Sequence, residues 1–150
     1  MPDPKLQFGE IQDSDVTEVI NLWNICGLVR PWNDPHNDIA FCRQKPNSTI
    51  LIGRAKEHGA ILASVMLGHD GHRGWVYYLA VDPNCQGKGL GASVMKAAET
   101  WMLDQGVWKL QLMIRRGNEG VTRFYNSLGY QESNCMIMER WIDPSKRGDS

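Results

Sequence analysis

The segment Val81-Asp-Pro-Asn-Cys-Gln-Gly-Lys-Gly-Leu-Gly91 places three alternating glycines between two stretches of different hydrophobic pattern. Before it, residues 75–81 form a nearly continuous apolar and aromatic run, which predicts a central β-strand. After it, apolar residues recur at helical spacing from Leu90 to Trp101, which predicts an amphipathic helix. Glycines let the backbone approach a ligand closely, and the first turn of a helix offers unpaired N–H groups. The segment therefore predicts an anion site, to which Lys88 adds a charge and Gln86 an amide donor.

Other interpretations of these glycines exist. A tight strand-to-helix connection that binds nothing is the simplest, since many such turns use glycine. A P-loop requires Gly-x-x-x-x-Gly-Lys-Ser/Thr, and a dinucleotide-binding fold requires Gly-x-Gly-x-x-Gly near the N-terminus. The spacing in this chain fits neither of these two phosphate motifs.

Upstream of the glycines, alternating or helical patterns predict five elements. The spacing predicts a strand over 6–11, a helix whose apolar face carries Val16 and Trp23, and a short helix over 37–44. Two β-branched runs over 49–55 and 60–67 predict a hairpin.

Downstream, Gly106 is expected to end the long helix. The patterns then predict a strand over 109–114, a helix over 121–128, and last strands over 130–131 and 136–142. This order predicts an α/β (α+β) fold with a mixed, mainly antiparallel sheet of six to seven strands and helices on both faces. We expect one domain over 1–143 and a polar tail over 144–150.

Composition excludes several classes of protein. Sixteen lysines and arginines against 17 aspartates and glutamates leave a net charge of −1, and no block of one sign suggests a nucleic-acid partner. We also expect no membrane partner, because the N-terminus lacks a leader pattern and no segment approaches the ~20 apolar residues of a membrane span. The expected location is cytoplasmic. The four cysteines are widely spaced and predict no metal site.

Two blocks of sequence carry a family resemblance. The pattern Val81-x-Pro83-x-x-Gln86-x-x-Gly89-x-Gly91 resembles the acetyl-CoA signature of the GNAT acetyltransferases. A second block, with Asn118 and Tyr125, resembles the C-terminal cofactor motif of that family. Residues 30–35 and 70–74 further resemble the bacterial YpeA-type subgroup.

The resemblance implies a site for acetyl-CoA, in which the central strand diverges from its neighbour and the pantetheine arm bonds main-chain groups in the gap. The glycine loop would hold the pyrophosphate, Asn118 would bond the arm, and Tyr125 would sit near the sulfur; an aromatic core residue is the alternative for Tyr125. The implied cofactor-binding residues are Leu79, Ala80, Val81, Gln86, Gly87, Lys88, Gly89, Leu90, Gly91, Ala92, Asn118 and Tyr125.

Catalysis of acyl transfer needs a neutral amine, a donor for the oxyanion and a proton for the departing thiolate. A main-chain N–H near Leu79 or Ala80 suits the oxyanion, and Tyr125 suits the role of general acid. No base is evident, since many relatives carry a glutamate where this chain has aromatic residues. A proton relay through Tyr77 or Tyr78 is one candidate, and the alternatives are His72 and His36, for which a solvated loop position is also open.

The acceptor is expected to be a primary amine of a peptide, a protein N-terminus or a small molecule. Freeing a lysine amine of pKa ~10.4 at pH 7 costs about 4.6 kcal/mol, against about 1 for an α-amine near ~7.8, so a weak base favours an amine of low pKa. Candidate acceptor-binding residues are Asp34 and Asp38 for a cation and Trp32 and Trp75 for the walls, with solvated carboxylates and core tryptophans as the alternative.

The function predicted from the sequence is therefore that of an N-acetyltransferase. The alternative is a catalytically inactive CoA-binding sensor or regulatory domain, and a third interpretation is a domain with a structural role and no affinity for CoA. The identity of the amine stays open, as does the formation of a homodimer.

Overall fold

The computed structural model describes residues 5–148, so the first four residues of the predicted domain and the last two of the predicted tail lie outside it. The chain divides into two compact units, Met1–Leu112 and Met113–Ser150, which are described separately. None of the helices in the described part of the chain is long and apolar enough to cross a membrane.

The described part of the first unit contains five strands and three α-helices, and all of them except the last strand lie close to their predicted positions. In chain order they are β1 (Gln7–Glu10), α1 (Val16–Ile25), α2 (Pro35–Arg43), β2 (Ser48–Arg54), β3 (Ile61–His69), β4 (Gly74–Val81), α3 (Leu90–Asp104) and β5 (Leu110–Gln111). Short 3₁₀ turns precede α1 at Asp13–Asp15 and follow β4 at Pro83–Cys85.

The strands form one sheet in the order β1-β2-β3-β4-β5. The first three neighbouring pairs are antiparallel and the last, β4 with β5, is parallel. The prediction of a mixed sheet is confirmed. The predicted number of six to seven strands is wrong, because the residues described contain five.

One face of the sheet packs against α1 and α2. Trp23 of α1 is fully buried there, and its Nε1–H donates to Oγ of Ser64 on β3 at 3.0 Å. Ile39 of α2 and Ile50 of β2 belong to the same cluster of buried side chains. The hydrogen bond matters because a buried indole N–H without a partner costs about 1–3 kcal/mol.

The opposite face packs against α3. Trp101 of α3 lies against His69 of β3, with ring centroids 6.2 Å apart. Met102 lies so close to Gly74 that a Cβ atom at that position would come within 2.5 Å of its sulfur. The glycine at the start of β4 therefore lets α3 approach the strand.

β4 contains a bulge. The pairing with β3 shifts by one residue, since Ser64 faces Ala80 whereas Met66 faces Tyr77. Tyr78 lies in the shifted part with φ +53°, in the left-handed region that non-glycine residues rarely adopt. A bulge bends its strand and redirects side chains, and this one lies next to the end of the β4–β5 pairing.

The predicted strand over 109–114 is mostly wrong. Only Leu110 and Gln111 pair with β4, opposite Gly74 and Trp75. Among the residues described, no pair of β4 with β5 follows Trp75, so the ladder that would extend β5 is missing.

The second unit contains α4 (Glu119–Ser127) and a 3₁₀ turn at Pro144–Lys146. The last strands predicted over 130–131 and 136–142 do not form within the described residues. Met136, Met138 and Ile142 are 81, 83 and 91% exposed, so no buried face holds this segment against a neighbouring strand. Strand propensity alone does not make a strand, because a ladder needs a partner and a buried side.

Candidate functional site

The free edge of β4 forms the first part of the site. After Trp75, β4 has no partner on the β5 side among the residues described. The N–H of Asp82 donates to the carbonyl of Leu62 on the β3 side at 2.8 Å, so strand alternation turns the main-chain groups of Val81 the other way. The thiol of Cys26 donates to the Val81 carbonyl at 3.3 Å, and burial raises the pKa of this thiol.

The glycine loop continues from this edge. Gly87 and Gly89 have φ +81° and +75°, and a Cβ atom at either position would meet no neighbouring atom within 4 Å. Gly89 is also the N-cap of α3, and no side chain caps that helix start. Leu90, 2% exposed, anchors the first turn in the core. The result is an exposed loop whose N–H groups converge where a helix carries its partial positive charge.

These features fit a pyrophosphate. The loop leaves room in front of its glycines, the helix start has unused donors, and Lys88 lies exposed between the two glycines. Backbone N–H groups at a helix N-terminus form a general anion-binding arrangement. The unpaired edge of β4 precedes the loop, separated from it by the 3₁₀ turn at Pro83–Cys85. This edge offers main-chain groups to a longer ligand.

A cavity of ≈ 440 Å³ lies beside β4, on the face covered by α2. β4 contributes Trp75 and both bulge tyrosines, Tyr77 and Tyr78, while α2 contributes Asp38 and Phe41. Alternation along a regular strand would send two consecutive side chains to opposite faces. The bulge at Tyr78 therefore explains why Tyr77 and Tyr78 line the same cavity.

Tyr78 is held by three neighbours. Its ring stacks on Trp23 with centroids 4.2 Å apart, and its hydroxyl donates to Oδ2 of Asp38 at 2.8 Å. The side-chain amide of Asn33 donates to the same hydroxyl at 3.3 Å. Burial, together with the hydrogen bond and charge of Asp38, raises the pKa of Tyr78. The hydroxyl is therefore neutral and already donates its proton to Asp38.

Tyr77 differs from its neighbour. It is 45% exposed, and burial of the remaining surface raises the pKa of its hydroxyl. Of the two tyrosines predicted as proton relays, Tyr77 is thus the more accessible to solvent.

Asp70 is a cavity residue that sequence reasoning missed. It follows β3, and its Oδ1 accepts the N–H groups of His72 at 2.9 Å and Arg73 at 2.7 Å. Its Oδ2 accepts Nε1–H of Trp75 at 3.4 Å. The N–H donors of Arg73 and His72 lower the pKa of Asp70. An aspartate opening a glycine-containing turn is a recognisable Asx pattern, but only the fold places it at the cavity.

Among the predicted acceptor residues, the structure separates two pairs. Asp38 and Trp75 line the cavity, whereas Trp32 and Asp34 do not. Asp34 is the N-cap of α2, and its Oδ1 accepts the N–H groups of His36 and Asn37. Neither His36 nor His72, the alternative bases, is among the cavity-lining residues.

In the second unit, Asn118 and Tyr125 both lie on α4. Asn118 is the N-cap, and its Oδ1 accepts the N–H of Val121 at 3.4 Å, which leaves its amide N–H₂ available. Tyr125 is 7% exposed and packs edge-on against the rings of Phe124 and Tyr130. Burial raises the pKa of its hydroxyl to about 12.

Sequence comparison relates this chain to a known family. Residues 16–130 match the model of the acetyltransferase (GNAT) family. An acetyltransferase of Yersinia enterocolitica is 40% identical over 133 residues, covering 89% of this chain and 93% of that protein. An acetyltransferase of Pectobacterium atrosepticum is 38% identical over 127 residues, covering 85% of this chain and 89% of that protein.

Solved structures share the fold. An aminoglycoside N-acetyltransferase in complex with CoA superposes with a TM-score of 0.77 at 14% identity, covering 92% of this chain and 95% of that one. At that identity the likeness concerns the backbone architecture.

Proposed function

This chain belongs to the acetyltransferase (GNAT) family, and we propose that it transfers the acetyl group of acetyl-CoA to a primary amine by direct attack of the amine on the thioester. The match to the family model and the named relatives make it an N-acetyltransferase. The observation that carries the choice of donor is the free edge of β4, which leads directly into a glycine loop at an uncapped helix start.

In this proposal, main-chain groups of the first unit bind the donor. N–H groups from Gly87 to Ala92 and the Lys88 ammonium hold the pyrophosphate, with Gln86 at the entrance of the loop. The outward main-chain groups of Leu79 and Val81 bind the pantetheine arm, and the amide of Asn118 donates to it. Open space at the two positive-φ glycines supports this assignment.

Acetyl-CoA supplies the acetyl group as a thioester, whose carbonyl gains negative charge when an amine attacks. We assign the stabilisation of this charge to a main-chain N–H near Leu79 or Ala80. Tyr125 hydrogen-bonds the departing sulfur and donates its proton there. Its pKa of about 12 keeps the hydroxyl protonated at neutral pH.

The cavity beside β4 receives the acceptor in this proposal. Asp38, Trp75 and Tyr77 are in place to bind an amine, and Tyr77 is accessible enough to pass its proton to water. Tyr78 is proposed to position α2 and the bulge instead, because its proton is held by Asp38. We also propose that the chain is related to the YpeA-type subgroup, on the sequence resemblance of residues 30–35 and 70–74, which lie before α2 and between β3 and β4.

A direct test is calorimetric binding of acetyl-CoA to the wild-type protein, Gly89→Glu and Gly106→Glu. The control is matched, since Gly106 has φ +82° and equally open surroundings but lies after α3. We expect Gly89→Glu to lose at least about tenfold in affinity, about 1.4 kcal/mol, and Gly106→Glu to bind as the wild type does. Equal affinities of all three proteins would refute the placement of the pyrophosphate, and absence of thiol release with any amine would refute the transferase reaction.

A further inference from the structure

The cavity beside β4 carries an unbalanced negative charge. Its lining includes the carboxylates of Asp38 and Asp70 and contains no lysine or arginine. By contrast, the buried carboxylate of Asp15 forms an ion pair with Arg54 at 2.7 Å. Within residues 5–148, neither Asp38 nor Asp70 forms such an ion pair.

Neutral donors hold both carboxylates in place. Asp70 accepts two backbone N–H groups and the indole N–H of Trp75. Asp38 accepts the hydroxyl of Tyr78 through Oδ2, while its Oδ1 takes no hydrogen bond from the residues described. Asp38 lies on α2 and Asp70 directly follows β3, so different parts of the fold bring the two carboxylates to the cavity. Fixed carboxylates without cations favour a positively charged ligand.

Apart from Ser48 and His69, the rest of the lining is mainly aromatic or aliphatic. Trp75, Tyr77 and Tyr78 supply aromatic walls, and Met66 supplies an aliphatic one. Aromatic faces attract ammonium groups, and hydrocarbon fills the space between them. At the rim, Lys45 places its Nζ 3.5 Å from the ring centroid of Phe41, which shows an ammonium group on an aromatic lining residue.

We propose that the acceptor is an aliphatic amine with at least two ammonium groups joined by hydrocarbon, a linear diamine or polyamine, and that the cavity disfavours amines bearing a carboxylate. This proposal rests on the transferase function proposed above. One carboxylate binds the ammonium group that is not acetylated, and the methylene chain lies along the aromatic walls.

The test compares acetyl transfer to three acceptors of the same carbon chain. Cadaverine has an amine at both ends, whereas pentylamine has a methyl group and δ-aminovalerate a carboxylate in place of one terminal aminomethyl group. Thiol release from acetyl-CoA should give a kcat/KM at least about tenfold higher for cadaverine than for pentylamine, about 1.4 kcal/mol, and lowest for δ-aminovalerate. Equal values for the first two, or the highest for δ-aminovalerate, would overturn the proposal.

The variant Asp70→Asn tests whether the charge of Asp70 contributes to the preference for a diamine. The amide keeps an oxygen for the turn but removes the charge, so the ratio of kcat/KM between cadaverine and pentylamine should fall toward one. Asp104→Asn is the matched control, because Asp104 is an exposed carboxylate at the end of α3 and does not line the cavity. An unchanged ratio in Asp70→Asn would show that Asp70 does not bind the second ammonium group of the acceptor. 2-Deoxystreptamine, a dication whose two amines lie on a hydroxylated ring, should react more slowly than cadaverine. A faster reaction would contradict the proposed binding of a hydrocarbon chain along the aromatic walls.

Failure of the two proposals can be told apart. If no amine is acetylated, the transferase proposal fails, and calorimetric binding of cadaverine to the CoA-saturated protein still tests the cavity. Binding that weakens at least about tenfold in Asp70→Asn and not in Asp104→Asn supports a diamine site. Absence of cadaverine binding would overturn it.

Discussion

The phenol ring of Tyr78 lies parallel to the indole of Trp23, with an interplanar angle of 8° and centroids 4.2 Å apart. Tyr78 adopts φ +53°, which costs a non-glycine residue about 1–2 kcal/mol. The stack on α1 and the hydrogen bond to Asp38 on α2 hold it there. Both helices are thereby connected to the bulge of β4, so the cavity beside β4 depends on the conformation of this one residue.

Tyr78→Phe should destabilise the protein by about 1–2 kcal/mol, because the ring stack remains while Asp38 and Asn33 lose their shared hydroxyl. Urea unfolding measures this change. Tyr77→Phe is the control, since its exposed hydroxyl should contribute less than about 0.5 kcal/mol. Equal stability of the two variants would mean that the Tyr78 hydroxyl forms no net favourable contact.

Ser64→Ala should cost about 1–3 kcal/mol, because it leaves the buried indole N–H of Trp23 without an acceptor. For a chain of this size the melting temperature should fall by roughly 2–4 °C for each kcal/mol. Ser127→Ala, which removes an exposed hydroxyl on α4, should stay within about 0.5 kcal/mol of the wild type. A melting temperature of Ser64→Ala equal to that of Ser127→Ala would contradict the buried hydrogen bond.

Asn118→Asp separates two roles of this residue. Aspartate caps a helix as well as asparagine does, so the melting temperature should not fall, whereas Asn118→Ala should lose about 1 kcal/mol. Aspartate cannot donate a hydrogen bond to the pantetheine arm, so acetyl-CoA affinity should drop at least about tenfold in calorimetry. Affinity equal to that of the wild type would leave Asn118 as a helix cap alone.

Tyr125→Phe should lower kcat by roughly 10²- to 10⁴-fold, the usual contribution of a positioned general acid, with little change in acetyl-CoA affinity. The protonated hydroxyl is the active form, and with a pKa of about 12 it persists at all lower pH values. The wild-type rate should therefore rise with pH as the amine loses its proton, without falling up to about pH 10. A decline below that pH that disappears in Tyr125→Phe would show that Tyr125 titrates much lower.

The prediction of strands depended on information that a single segment does not contain. Residues 136–142 have the composition of a strand, yet Met136 and Met138 remain exposed and the segment has no ladder partner among the described residues. β2 and β3 were located well because a hairpin supplies its own partner from nearby in the chain. The length of β5 was overestimated, since its pairing with β4 includes only Leu110 and Gln111.

By itself, the sequence located the glycine loop that we propose as the anion site, because its parts are consecutive: a strand, glycines that permit positive φ at Gly87 and Gly89, and a helix that starts at Leu90. The cavity beside β4 was decided only by tertiary structure. Asp38 and Tyr78 form a hydrogen bond although they are 40 positions apart in the sequence. Tyr77 and Tyr78 reach the same cavity because the bulge interrupts the regular alternation of side chains along β4. Side chains so far apart are brought together by the packing of α1 and α2 on the sheet, and no local pattern encodes that distance.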